Sequence, residues 1–425
     1  MIHAHRRLLR GLALPGLLSA FVALLGCGEA PSTSNEGWEA ISLSSPAPEG
    51  SGEANLFVAS DGLVYLSWLE PVDEEHALRF SVLEGREWSE PRRIAQGQDW
   101  FVNWADFPSI FVFPDGRMAA HWLVRSGPGT FDYDVNLAWS LDGGDTWTDP
   151  VVPHRDGTQS EHGFVALFPW VTGNGVEAQD GSIALGAAWL DGRDFATGTD
   201  DPEMSLRFTT LLPEGLGAEL LLDGRVCDCC QTSAALTDRG PVVVYRDRTE
   251  EEVRDISIVR AVEEEGELRW TDPAPVHEDG WVIPACPVNG PMVAARGSEV
   301  AVAWFTAADD VPRVRVAFSS DGGASFGDPI QIDDGNPVGR VALVLEEDGV
   351  ARVSWLEAAD GGAELRVRRA EAGGSVGPSL QVVETSQARA SGFPRMVRVS
   401  DGLLFAWTDV DGSGGVETAL LREVR

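Results

Sequence analysis

The stretch Ser140-Leu-Asp-Gly-Gly-Asp-Thr-Trp-Thr-Asp-Pro150, "SLDGGDTWTDP", returns at 319–329 as "SSDGGASFGDP", and a looser echo, "SVLEGREWSEP", stands at 81–91. The shared pattern is Ser-x-Asp-x-Gly-x-x-Trp or Phe. An Asp at a tight turn accepts hydrogen bonds from nearby backbone N–H groups, and Gly supplies the positive φ that other residues resist. The aromatic residue, Trp147 or Phe326, is then free to plug the gap between adjacent strands.

Outward from these turns the chain alternates apolar runs with Gly turns. The runs "DGLVYLSWLE" (61–70), "DGRMAAHWLV" (115–124), "DGSIALGAAWLD" (180–191), "RGPVVVYRD" (239–247), "GSEVAVAWFT" (297–306), "DGVARVSWLE" (348–357) and "DGLLFAWTD" (401–409) each read as a buried strand. Most are preceded by a similar strand, making a hairpin, and followed by a third strand, a turn and a short fourth. Helical periodicity is absent after the N-terminus. The units fall at 54–97, 105–154, 163–223, 228–277, 286–333, 338–384 and 390–425. A period of roughly fifty residues is that of a four-stranded propeller blade. The expected fold is all-β, a seven-bladed propeller, with six blades plus an irregular unit as the fallback. The last unit lacks a fourth strand, and "WEAISLS" (38–44) is expected to supply it, closing the ring without a free edge.

The 425 residues include 67 acidic and 32 basic ones, for a net charge of −35, and every basic residue other than histidine is arginine. So acidic a surface repels nucleic acid and anionic lipid, and neither is expected as a partner. "HAHRRLLR" followed by "GLALPGLLSAFVALLG" reads as a targeting signal too short for a membrane span. It ends in Leu24-Leu25-Gly26-Cys27, which resembles the lipobox of bacterial lipoproteins. That resemblance implies a signal peptide at 1–26, lipidation of Cys27, a flexible tether at 27–37 and a single propeller domain at 38–425. The expected place is the cell envelope, outside the cytoplasmic membrane, with the membrane contacted only through lipid and the protein a monomer.

The turns at 140–150 and 319–329 resemble the Asp-boxes of sialidases and related BNR-repeat propellers. The second unit, "FPSIFVFPDGRMAAHWLV…SLDGGDTWTDP", is similar to the first sialidase blade at Pro108, Ser109 and the Pro114-Asp115-Gly116 turn. The family's Arg-Ile position holds Asp106-Phe107, a reversal of charge in the arginine triad that clamps a substrate carboxylate. By the same resemblance Arg246 or Arg248 fills a second triad position and Arg313 the third. The family's assisting glutamate falls near Ala234, and its nucleophilic tyrosine belongs in a late blade, whereas Tyr65, Tyr133 and Tyr245 all come early. The usual sialidase hydrolysis is therefore not expected. The expected function is binding of a glycan or other anionic ligand at the channel mouth. One alternative is a glycoside hydrolase using paired carboxylates. Another is a metal-handling or protein-interaction scaffold.

Polar residues beyond the needs of a plain loop mark candidates for that mouth: Arg193, Tyr245, Arg246, Arg248, Arg254, Arg313 and His162 for ligand binding. Asp191, paired with Asp106 or Asp255, is the candidate for acid–base work. The most distinctive local sequence is Cys227-Asp-Cys229-Cys230, answered by Cys286. Three readings compete for these four cysteines. They are two disulfides, the default outside the cytoplasm, a thiolate site for copper(I) or zinc, and a redox-active thiol. No other cofactor is expected.

Overall fold

The computed structural model describes residues 37–170, 183–265 and 267–424, and Cys27 with the signal segment lies outside them. Seven antiparallel sheets follow one another around a central channel. Blade 1 begins with the inner strand Gly52–Val58, and the later inner strands are Ser109–Val112, His162–Trp170, Ser233–Thr237, Met292–Arg296, Pro337–Leu345 and Arg395–Val399. Each inner strand touches the next around the ring, and the last returns to the first. The expected seven-bladed ring is thus the fold observed. Blade 2 departs from the four-strand pattern. Its outer strand shrinks to a single bridge between Leu137 and Val151, because His154 and its neighbours turn in towards the channel mouth instead of extending the sheet.

Ring closure follows the expectation from "WEAISLS". Trp38–Leu43 pairs antiparallel with Gly415–Glu423, in register from Trp38 opposite Glu423 to Leu43 opposite Thr418. The first and last described strands thereby share one sheet, with Trp38–Leu43 as its outermost strand. Helix is confined to three short 3-10 turns among the described residues, and none of these is long and apolar enough to cross a membrane.

The core lies between the blades. The second strands supply Trp68, Trp189, Trp304 and Trp355, all fully buried. A buried indole N–H needs an acceptor, and the sequence provides one two residues on in three blades: Trp68 donates to Glu70, Trp189 to Asp191 and Trp355 to Glu357, at 2.9, 2.8 and 2.6 Å. Trp304 is served instead by Asp279, from the loop that follows the blade 4 outer strand Ala274–His277.

The repeated turns have the geometry their residues imply. Asp142 accepts from the Thr146 N–H and hydroxyl at 2.9 and 2.6 Å, and Ser140 Oγ accepts from the Gly144 N–H at 2.7 Å. These bonds, led by the Thr146 hydroxyl, hold the Asp142 carboxyl down at about 2. Asp321, Ser325 and Ser319 repeat the arrangement in blade 5. Gly144 has φ +87°, and a Cβ there would lie 2.7 Å from Phe80 of blade 1. The turn is therefore a contact between blades, at the opposite rim from the loops described next.

Candidate functional site

Two sets of loops converge on one end of the channel: those entering each inner strand and those joining second to third strands. Blades 2 and 3 contribute a hydrogen-bonded chain of three acids. Tyr133 Oη lies 2.9 Å from both Asp106 Oδ2 and Glu161 Oε1. A phenol has one proton, so only one of these contacts can be donated by Tyr133 and the other requires a protonated carboxyl. Burial supplies that proton: it raises Asp106 to about 7 and Glu161 to about 8. Tyr133 is itself fixed by stacking on Phe101, with ring centroids 3.9 Å apart.

The backbone is shaped around Asp106. Its Oδ1 accepts the Phe164 N–H at 2.8 Å, and Phe164 adopts φ +53° at a bulge in the blade 3 inner strand. A Cβ on Gly163 would stand 1.9 Å from Asp106 Oδ2, so only glycine fits there. Asp106 is 3% exposed and lines a channel cavity of about 190 Å³, whereas Glu161 is half-buried and is not part of that lining. The same cavity is lined by Arg395, whose guanidinium sits 5.2 Å from the Phe107 ring centroid. Arg395 makes no hydrogen bond or ion pair with the described residues. Burial lowers its pKa to about 10, so it remains a cation.

Beside the acids, His154 and His162 stack face to face at 3.7 Å with planes 2° apart. Asp134 lies within 3.8 Å of one edge of the pair, and Asp156 within 3.3 Å of the other. Burial opposes a charge on His162, but hydrogen bonds to Asp134 and Asp156 outweigh it and raise the pKa to about 9. Parallel rings this close cannot both direct in-plane lone pairs at one ion. The group is a charged histidine between carboxylates rather than a metal cage.

The arginines expected to clamp an anion do other work. Arg246 is 1% exposed, lies over Trp281 and donates to the carbonyls of Asn289, Arg254 and Phe305, fastening blade 4 to blade 5. Arg313 donates to the Ala308 and Val311 carbonyls of its own loop. Arg193 is paired with Asp191 and Glu219, and Arg248 with Glu252. Arg254 also binds Glu252 and donates to Cys227 Sγ at 3.3 Å. Most of the guanidiniums proposed for ligand binding thus already satisfy carboxylates or carbonyls of this chain.

Asp191 and Asp255, the expected acid–base candidates, are likewise engaged. Asp191 is fully buried under Trp189 and Arg193, and Asp255 accepts the backbone N–H groups of Gly280 and Trp281. Tyr245 is buried and donates to Asp223. His162 does reach the mouth. Glu161, Tyr133, His154 and Arg395 were not singled out for the site in the sequence. Glu161 stands next to His162 in "SEHGF", and Arg395 opens an inner strand in "GFPRMV" much as Ser109 does in "DFPSIF".

At the same mouth, close enough for Asp228 and Cys286 to act on the charge of Glu161, the four cysteines meet. Cys227 Sγ lies 3.5 Å from Cys230 Sγ and 4.0 Å from Cys229 Sγ, and Cys286 contacts Cys229. These separations exceed a sulfur–sulfur bond of about 2.05 Å, so the expected disulfides are replaced by four free thiols.

No family model and no curated protein matches the sequence. Solved structures do match in shape. An ulvan lyase bound to a GlcA(1-4)Rha3S repeat, described as a new polysaccharide lyase family, superposes with a TM-score of 0.55 at 12% identity, covering 90% of this chain and 96% of its own. Polysaccharide lyase Uly1 gives 0.50 at 12% identity, with 88% and 90% covered. The Hadza microbial sialidase Hz136 gives 0.47 at 14%, with 83% and 74% covered. The chain thus shares its β-propeller architecture with the two polysaccharide lyases.

Proposed function

We propose that the chain binds an acidic saccharide at the channel mouth and exchanges a proton with it there. Arg395 carries this reading. It is the cation of the channel cavity without a carboxylate partner, and a half-buried guanidinium in that state is a receptor for a carboxylate or sulfate. Asp106 lines the same cavity, and the Asp106–Tyr133–Glu161 chain leads from it towards solvent. A proton taken up at Asp106 can pass to Tyr133 as the phenolic proton moves on to Glu161. Raised pKa values near neutrality suit both carboxyls to this work. The reactions so served are elimination beside a uronate carboxylate and hydrolysis of a glycosidic bond. An ulvan lyase of the same fold holding a glucuronate-containing repeat supports the choice of an acidic glycan.

The lipobox-like Leu24-Leu25-Gly26-Cys27 supports attachment to the cell envelope by lipid on Cys27, as a monomer. Incorporation of labelled fatty acid that is lost in Cys27→Ala tests the anchor.

Calorimetric titration with uronate-containing, sulfated and neutral oligosaccharides tests the site, together with turnover of the corresponding polysaccharides. Acidic sugars should bind and neutral analogues should not, and Asp106→Asn should retain binding while losing turnover. Equal binding of neutral and acidic sugars would defeat the reading.

A further inference from the structure

We infer that Cys227, Cys229, Cys230 and Cys286 form a thiolate centre for one soft closed-shell cation, zinc or copper(I), at the rim of the channel mouth. The fold builds the site from two loops locked to a common support. The first is tied to the end of the blade 4 second strand, where Val226 bridges Asp247 and the Cys227 N–H donates to the Arg246 carbonyl. The second enters blade 5 and is hydrogen-bonded to the blade 4 loop through Arg254 to Trp281 and Ile283 to Glu252. Loops 59 residues apart in sequence, Cys227 to Cys286, are thus brought together by backbone pairing rather than by the sulfurs themselves.

The sulfur spacing is that of ligands around a missing centre. A tetrahedral cation with bonds of about 2.3 Å to sulfur separates its ligands by about 3.8 Å. The observed 3.5 and 4.0 Å lie on either side of that value, and the Cys227, Cys229 and Cys230 sulfurs all lie within 4.8 Å of one another. Cys286 stands outside this group of three and touches Cys229 alone, so it would swing in from the exposed loop as the fourth ligand. Cys227 and Cys230 are essentially unexposed, whereas Cys286 is open to solvent and offers the route in.

The charges around the sulfurs point the same way. Arg254 donates to Cys227 Sγ at 3.3 Å, a contact that favours thiolate. The Arg246 carbonyl accepts the Cys227 N–H, and its guanidinium hydrogen bonds end on neutral carbonyls. Asp228 is held between the ligand cysteines with a buried Oδ1 that accepts no hydrogen bond, its nearest cation being Arg248 at 3.6 Å. Asp228, Arg248 and Arg254 thus place one carboxylate and two guanidiniums around the sulfur group.

The test is metal analysis and thiol counting on the full chain, purified without chelator and then reloaded with zinc, copper(I) or cobalt(II). About one equivalent of zinc or copper per chain is expected, with thiol-to-cobalt charge-transfer absorption and intense tetrahedral bands in the cobalt form. Zinc and copper are told apart by which metal co-purifies and which displaces the other. Cys286→Ser should fold normally, because its side chain is exposed, yet lose most of the metal. Cys229→Ser should lose all of it, and a retained ring is checked by circular dichroism. Two disulfides in denatured, alkylated protein would overturn the inference, as would a cobalt spectrum without thiolate bands or undiminished metal in Cys286→Ser. None of these readouts depends on saccharide binding, so the centre and the sugar site stand or fall separately.

Discussion

Trp189 donates its indole N–H to Asp191 Oδ2 at 2.8 Å, two residues along the same strand. The pair is the blade 3 copy of Trp68–Glu70 and Trp355–Glu357. Asp191 is therefore a repeated structural acceptor, also bound by Arg193. Asp191→Asn should destabilise the ring by about 1.5–3 kcal/mol, the range for a buried hydrogen bond to a charged group. Glu70→Gln and Glu357→Gln should behave alike in denaturant melts. An Asp191→Asn protein that melts like the wild type but no longer turns over saccharide would return Asp191 to the reaction.

Arg395 gives the contrasting case. Arg395→Met removes a charge without an internal partner, so stability should hold or rise. Affinity for acidic oligosaccharides should fall about 10- to 100-fold, corresponding to one charge-assisted hydrogen bond or slightly more. Calorimetric titration alongside thermal melts checks both halves. Unchanged affinity would place the anion elsewhere.

Stability should decline towards alkaline pH. Glu161 rises from 4.5 to about 8 on burial, and Asp106 from 3.8 to about 7. Folded carboxyls with raised pKa values bind protons that the unfolded chain has released, so their contribution is full below about pH 4 and is lost as pH climbs through 7 to 8. His162, raised from 6.5 to about 9, adds a loss in the same direction between those values. Denaturation midpoints measured from pH 5 to pH 9 should fall, with Glu161→Gln flattening the lower part of the curve and leaving the His162 part. A midpoint that rises over this range would contradict the protonated pair.

Gly144→Ala and Gly163→Ala separate construction from site. The first forces a side chain onto a φ of +87° and against Phe80, the second against Asp106. Each should lower stability by about 1–3 kcal/mol through strain and crowding. Gly144→Ala should leave saccharide affinity intact, because its turn is at the other rim. Gly163→Ala should also disturb turnover and the pH profile by displacing Asp106. Matching effects of the two on turnover per folded molecule would refute that division.

The architecture was legible because it is written locally and repeatedly. "SLDGGDTWTDP", the runs ending in tryptophan and the period of roughly fifty residues need only neighbouring residues to be interpreted. Even ring closure was readable, since "WEAISLS" is an unpaired strand pattern and the last unit lacks one. The shortening of the blade 2 outer strand is not readable from Val151 and its neighbours, whose apolar start is that of a strand. Burial of His154 and Asp156 at the mouth, a tertiary effect, decides otherwise.

The site was less legible. Residue type alone drew notice to Arg246, Arg313, Asp191 and Asp255, but whether a charge is free depends on which neighbours reach it. Carbonyls of blade 5 neutralise the hydrogen-bonding capacity of Arg246, and backbone N–H groups do so for Asp255. Tyr133 was set aside for its early position, yet the ring places it between Asp106 and Glu161, residues 27 and 28 positions away. The sequence by itself determined the blades, their number, their turns and their closing strand, because strand periodicity and turn chemistry act within a few residues. Only the tertiary structure decided which acids share a proton, which arginine lacks a partner and which sulfurs meet. Desolvation and charge pairing are properties of three-dimensional surroundings that distant segments create together.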